Sequence, residues 1–276
     1  MNNILTFDIE EWYEANYKGI NFTTIDYQQS NLLDEVEEIL NLCEKYQAKA
    51  TFFILGKVAE KNPYLVKLIQ GKGQEIASHG YEHKLVYNLS PKEFEEDLQK
   101  SIKILESITG ERVLGYRAPS WSVTRETSWV YPILAKLGIK YSASVFPIKT
   151  FLYGWPDSPR FPYLKEIDDK KILEIPASTL KIFGKNIPFS GGTFFRLLPY
   201  WLVELGIKKN NRESQPAIIY LHPREIDPKA PKLSLPWKEH LIHYWGVAQT
   251  KQKLEKLLKE FRFSSIKLGL LPFFDL

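Results

Sequence analysis

Cysteine is almost missing from this sequence: Cys43 is the single one in 276 residues. One thiol excludes any intramolecular disulfide and any thiolate metal cluster, and removes the usual mark of a secreted, cross-linked scaffold. No apolar run approaches the roughly 18–20 residues that cross a bilayer, so no transmembrane segment is expected. The N-terminus has no basic stretch followed by an apolar one, because Asp8, Glu10 and Glu11 interrupt it. With Met1 directly before a strand pattern, it reads as carrying no leader, and the chain reads as cytoplasmic. A strong charge of one sign is also missing. The 37 Lys and Arg against 33 Asp and Glu leave +4, spread along the chain, which argues against a nucleic-acid partner. The densest basic run, Lys208 and Lys209 with Arg212, reads as a solvated surface loop rather than a contact for nucleic acid or an anionic membrane. Internal repeats, low-complexity segments and linker-like boundaries are absent as well, and nothing in the pattern assigns an oligomeric state.

What is present is an alternation of short β-type runs with amphipathic helical stretches, the signature of an α/β fold. Ile4 to Phe7 reads as a strand. A helix opening at Ser30 or Asn31 then places Leu32, Leu33, Val36, Ile39, Leu40 and Cys43 on one face. Strands follow at 50–55 and 74–78, with a helix over 57–70 between them, ended by Gly71 and Gly73. Ser90, Pro91 and Glu93 form a capping-box start for the next helix, which Gly110 closes. Further strands are expected near 113–116, 140–145, 172–176 and 217–221, with helices near 125–137 and 248–260. Pro132 predicts a kink or a break in the first of these helices. Residues 146–162 and 179–193 lack periodicity and read as long loops. A 44% hydrophobic chain of this length fits one α/β barrel spanning 1–276, with its chemistry at the C-terminal strand ends.

The strand ends supply the candidates. Asp8 and Glu10 stand two apart, so an extended backbone aims both carboxylates at one site; the alternative is that this acidic run simply leaves into water. His79 and His83 follow the strand ending at Ser78, and a spacing of four on a helical turn suits two nitrogen ligands of Zn²⁺; the alternative is a pair of structural or surface histidines. One added carboxylate makes a His₂-carboxylate set. Arg117, just beyond another strand, is placed to hold a carboxylate through a bidentate contact, or is an ordinary surface arginine. His222 closes the strand at 217–221, as a satisfied core histidine or as a general acid. His240 and His243 read as loop residues, with a substrate contact open to His243.

Taken in order, Thr6-Phe7-Asp8-Ile9-Glu10, Ser78-His79-Gly80-Tyr81-Glu82-His83, Tyr116-Arg117-Ala118-Pro119 and Tyr220-Leu221-His222 resemble the polysaccharide deacetylases of the NodB-homology, carbohydrate esterase type. These core motifs span 1–225. In addition, Phe189-Ser190-Gly191-Gly192, Phe195-Arg196-Leu197-Leu198-Pro199-Tyr200 and His222-Pro223-Arg224-Glu225-Ile226-Asp227-Pro228 look like the branch associated with exopolysaccharide biosynthesis, which makes 226–276 a family-specific C-terminal segment. The resemblance implies a distorted (β/α)7 barrel and a divalent metal, Zn²⁺ first, with Co²⁺, Ni²⁺ or Mn²⁺ as further occupants. It implies hydrolysis of N-acetyl groups on an amino-sugar glycan. By resemblance, Asp8 is the general base, Arg117 its orienting arginine, His222 the general acid, His79 and His83 metal ligands, and Glu10 the third ligand. The backbone N–H of Ser120 is expected at the oxyanion, and Trp121, Tyr220, Arg196 and His243 at the substrate.

The chain departs from the family pattern at Ile9, where a second aspartate is commoner, at Ser120, where an aromatic is common, at Tyr220, often a leucine beside the acyl methyl, and at Ser142, often an aspartate. These departures keep two other readings open: an amidohydrolase acting on a small cyclic amide or imide, and a catalytically silent glycan-binding module.

Overall fold

In the computed structural model, which describes residues 1–14, 16, 26, 29–150 and 153–276, strands and helices alternate as the pattern demands. The first half runs β1 (Asn3–Ile9), α1 (Leu32–Lys45), β2 (Thr51–Ile54), α2 (Gly56–Lys61), α3 (Pro63–Gly71), β3 (Glu75–Ser78), α4 (Pro91–Thr109), β4 (Gly115–Tyr116), α5 (Val130–Lys136) and β5 (Tyr141–Ser142). The second half runs β6 (Tyr163–Ile167), β7 (Lys170–Glu174), β8 (Thr179–Ile182), β9 (Lys185–Pro188), α6 (Gly192–Leu197), α7 (Tyr200–Arg212), β10 (Ile218–Leu221), α8 (Trp237–Tyr244), α9 (Val247–Glu260), β11 (Phe263–Ser264) and α10 (Ile266–Gly269). Seven strands pair in parallel in the order β10, β1, β2, β3, β4, β5, β7, with β6 antiparallel on the outer side of β7 and β11 beside the start of β1. The sheet curls into the expected distorted (β/α)7 barrel as one domain. It stays open between β7 and β10, where connecting chain fills the seam: Ser178 Oγ accepts from Ile218 N at 2.8 Å, and Ser190 O accepts from Tyr220 N at 3.1 Å.

The period of two along β1 explains where the polar groups go. Leu5, Phe7 and Ile9 pack outward with the helices. Ile4 points into the barrel with Phe53, Tyr141, Leu173 and Ile218, and Thr6, Asp8 and Glu10 follow it towards the mouth. All four are buried, so the acidic run does not leave into water.

The capping box forms as expected: Ser90 Oγ accepts from Glu93 N at 3.3 Å, Glu93 Oε2 accepts from Ser90 N at 2.8 Å, and Gly110 takes φ 71° at the other end. Several expectations are corrected. The helix over 57–70 is two helices, because Pro63 starts a new one and Asn62 caps it from outside, its side chain accepting from Leu65 N. The helix expected over 125–137 is shorter: 125–129 form a bend and turns and α5 begins at Val130, which puts Pro132 in its first turn, where the N–H it lacks has no intrahelical partner. Residues 179–193 are not a loop but the β8–β9 hairpin and the start of α6. Lys208, Lys209 and Arg212 lie on α7, and His240 and His243 on α8. Among the described residues no helix is long and apolar enough to cross a membrane.

Candidate metal centre and hydrolytic site

At the mouth of the barrel, Glu10, His79 and His83 converge: one ligand atom from each lies within 4.8 Å of the others, and all three residues are buried. His83 Nε2 stands 2.9 Å and His79 Nε2 3.7 Å from Glu10 Oε2. The histidines do not share the helical turn that their spacing suggests. They sit in an irregular bend with Gly80 and His83 at positive φ, 78° and 55°, held because the Asp97 carboxylate on α4 accepts from Tyr81 N at 2.7 Å and Glu82 N at 3.1 Å. His79 Nδ1 lies 2.8 Å from Arg117 O. A carbonyl only accepts, so Nδ1 carries the proton and Nε2 presents its lone pair to the cluster, the orientation a metal-ligating histidine needs. Two imidazoles and a carboxylate so arranged fit a divalent first-row ion.

Burial opposes ionisation of Glu10, but the His83 and His222 imidazoles and hydrogen bonds from His79 and His83 outweigh it and hold the carboxyl well below its ordinary range. The other carboxylate oxygen is taken: Arg224 Nη1 donates to Glu10 Oε1 at 3.0 Å.

Asp8 lies beside this cluster. Arg117 Nη1 donates to Asp8 Oδ1 at 2.7 Å and to Thr6 Oγ1 at 2.9 Å, while its Nε donates to Ala143 O at 3.1 Å. The guanidinium is wholly buried, 4.1 Å from the Phe53 ring centre and 4.7 Å from that of Trp121. Arg117 is therefore an internal cation with one acidic partner, not a surface arginine.

His222 faces the pair from β10, with Nε2 3.9 Å from Asp8 Oδ2 and 3.7 Å from Glu10 Oε1. Its Nδ1 is 3.0 Å from Glu225 Oε2, which also accepts from His222 N. Burial disfavours the imidazolium, yet Glu10 and Glu225 outweigh burial and Arg224, so its pKa stands above the ordinary histidine value. Glu225 is buried too, but His222 and Arg196 hold its carboxyl far below the usual range.

Ser120 and Trp121 both have positive φ, 50° and 52°. The tight turn there is closed by Trp121 N and Ser122 N, which donate to Ala118 O and Pro119 O, and Ser120 is one of the residues that line the cleft. The cleft itself is about 140 Å³ and includes Trp121, Tyr153, Gly192 and Tyr220 in its walls. Tyr220 stacks edge-on to Trp121, ring centres 4.9 Å apart. Ser142 lacks the family's carboxylate, but Glu174 from β7 brings one to the same strand end, accepting from Ser144 N and Val145 N at 2.9 Å.

Two residues expected at the substrate, Arg196 and His243, both line the cleft and are both engaged within the protein. Arg196 spends its donors inside the protein, on Glu225 Oε1 at 2.7 Å, Trp245 O at 2.8 Å, Ile242 O at 3.0 Å and Thr193 Oγ1 at 3.2 Å. It ties α6 to α8 and braces Glu225, and it also lines the cleft. His243 does reach the cleft wall, but its Nε2 accepts from Arg224 Nε at 3.2 Å. Burial, then the Arg224 and Arg196 charges, hold it well below the ordinary value and neutral. Glu225 and Arg224 went unassigned in the sequence reading, although both stand in the motif after His222.

Residues 14–142 match the polysaccharide deacetylase family and residues 143–270 a domain of unknown function, DUF3473. The join at 142/143 falls inside the sheet, at the end of β5. Asp8 and Glu10 lie just ahead of the first match, whereas Tyr220, His222 and Glu225 lie in the second. A peptidoglycan deacetylase of Helicobacter pylori is 33% identical over 110 residues, 40% of this chain and 36% of that protein. A peptidoglycan deacetylase-like protein of Gibberella zeae is 37% identical over 143 residues, 47% of this chain and 41% of that one. The chain thus spans about two fifths of the length of these relatives. A Mycobacterium smegmatis crystal structure described as a polysaccharide deacetylase superposes with a TM-score of 0.59 at 18% identity, covering 96% of this chain and 86% of that one, a likeness of fold.

Proposed function

We propose that the chain, whose residues 14–142 match the polysaccharide deacetylase family, is a metal-dependent hydrolase that removes N-acetyl groups from the amino sugars of a glycan. The observation that carries this reading is the buried Glu10–His79–His83 cluster set directly beside the Asp8–Arg117 pair and His222. A divalent metal held by these three residues would supply polarisation of the acyl carbonyl and activation of water. Asp8, fixed by Arg117, takes the proton of the attacking water. The Ser120 N–H donates to the oxyanion as charge develops there. His222, with Nδ1 held by Glu225 and Nε2 turned to the cleft, donates a proton to the departing amine, which leaves neutral. Acetate and a free amino sugar result.

The relatives are named for peptidoglycan, whereas the motifs at 189–200 and 222–228 resemble the exopolysaccharide branch, so N-acetylglucosamine oligomers are the substrate to begin with. Acetate release by chelator-treated protein should return on adding Zn²⁺ or Co²⁺ and fall at least about 100-fold in Asp8→Asn. Metal-bound protein that releases nothing from any acetylated oligosaccharide would sink the proposal. A second reading, glycan binding without catalysis, is favoured by the Arg224–Glu10 pair, which already neutralises the one carboxylate ligand. Glycan binding undiminished by chelator, with no metal taken up, is the result that selects it.

A further inference from the structure

Away from the cleft, the β8–β9 hairpin ends in Phe183–Gly184, the two residues between the last cross-strand pair, Ile182 and Lys185. Both have positive φ, 47° and 78°, as a type I′ turn requires. Glycine adopts that conformation freely, but a large aromatic residue there carries a steric penalty that Asn or Gly would avoid. No packing among the described residues offsets it, because Phe183 is 101% exposed. Ile182 and Ile187 behind it are more than one third exposed.

The neighbouring helix continues this surface. Lys209 Nζ on α7 donates to Lys181 O at 3.3 Å, and the Phe189 ring lies where a side chain on Gly206 would stand. Val203, Gly206, Ile207 and Asn210 face inward, so Trp201, Leu205, Lys208, Lys209 and Arg212 form the outward stripe. Trp201 is 60% exposed. Lys181 and Lys185 are exposed on either side of the Phe183–Gly184 turn, and Lys209 joins them to the basic run of α7. Of the acids nearby, Glu204 pairs with Lys208 and Glu213 with Arg160.

We propose that the Phe183 turn and the outward stripe of α7 are a docking surface for an anionic lipid bilayer. An aromatic tip and an indole enter the boundary between headgroups and acyl chains, while the surrounding lysines meet lipid phosphates. A protruding tip without a groove suits a fluid surface better than a folded protein partner, and a neutral glycan would give so many cations no counter-charge.

The test is co-sedimentation of the full chain with vesicles of phosphatidylcholine alone and with roughly one third phosphatidylglycerol, at low and high salt. Binding is expected on the anionic vesicles and should fall with salt. Phe183→Asn installs the residue the turn prefers, so it should melt no lower than the parent yet bind about tenfold or more weakly. Lys181→Gln and Lys185→Gln should each weaken anionic binding about fivefold and leave neutral vesicles unaffected. Failure of the parent to sediment with anionic vesicles at low salt overturns the proposal, as does Phe183→Asn binding like the parent. Retention on an acidic polysaccharide with none on vesicles overturns it as well, and reassigns the surface to glycan.

Discussion

Asp8 has two roles that a single substitution removes together. Asp8→Asn takes away the proposed base, and acetate release should fall roughly 100- to 10,000-fold. It also leaves the Arg117 charge buried between Phe53 and Trp121 without its counter-ion, which should cost on the order of 3–5 kcal/mol of stability. Turnover and urea unfolding measured on one preparation separate the two effects; parental turnover in folded protein would remove Asp8 from the chemistry. Glu225→Gln keeps an acceptor for His222 Nδ1 but not the charge, so kcat should fall with metal content unchanged. Loss of metal from that variant would contradict the assignment. Asp8, Glu10, His79, His83, Arg117 and His222 were legible in the sequence because each ends a strand or follows one, and a barrel sends strand ends to one mouth. The bracing role of Arg196 was not legible, because the carbonyls it holds, Ile242 O and Trp245 O, come 46 and 49 residues later at the end of α8, and no local pattern announces such a tie.

Elements whose apolar face turns inward announced themselves; those that present apolar residues outward did not. On α7, Trp201 and Leu205 are exposed alongside lysines, which blurs the periodicity that would have marked a helix. The hairpin was hidden because its turn is Phe-Gly rather than the Asn-Gly that signals a type I′ loop. By contrast α4 was marked at both ends. Ser90→Ala should lower stability by about 1 kcal/mol and leave acetate release unchanged, as denaturant titration and assay will check. Gly191→Ala should behave in the opposite way. Its Cβ would lie 2.0 Å from Tyr220 O and 2.5 Å from the Tyr220 ring, so a cleft wall must shift and KM should rise along with the loss of stability.

At the scale of the molecule, buried carboxyls tune stability with pH. Burial raises Glu174 from 4.5 to about 7, and burial, helped by Asp227, raises Glu35 from 4.5 to about 8. The folded chain therefore holds protons that the unfolded chain has already lost, and stability should decline as pH rises from about 4.5 to about 8. Glu174→Gln should remove its share of that decline, on the order of 3 kcal/mol, read from unfolding midpoints across the range. An unchanged slope would mean that Glu174 is not the group responsible. The first strand, next to the β10 edge of the sheet, has a different consequence, one that concerns synthesis. β1 is bonded to β2, β10 and β11, and the last two emerge from the ribosome more than 200 residues after it. During most of translation its Asn3–Ile9 run has one open edge, an invitation to pair with another nascent chain. Yield of this protein should therefore depend on chaperone supply and on slow expression more than its finished stability would suggest.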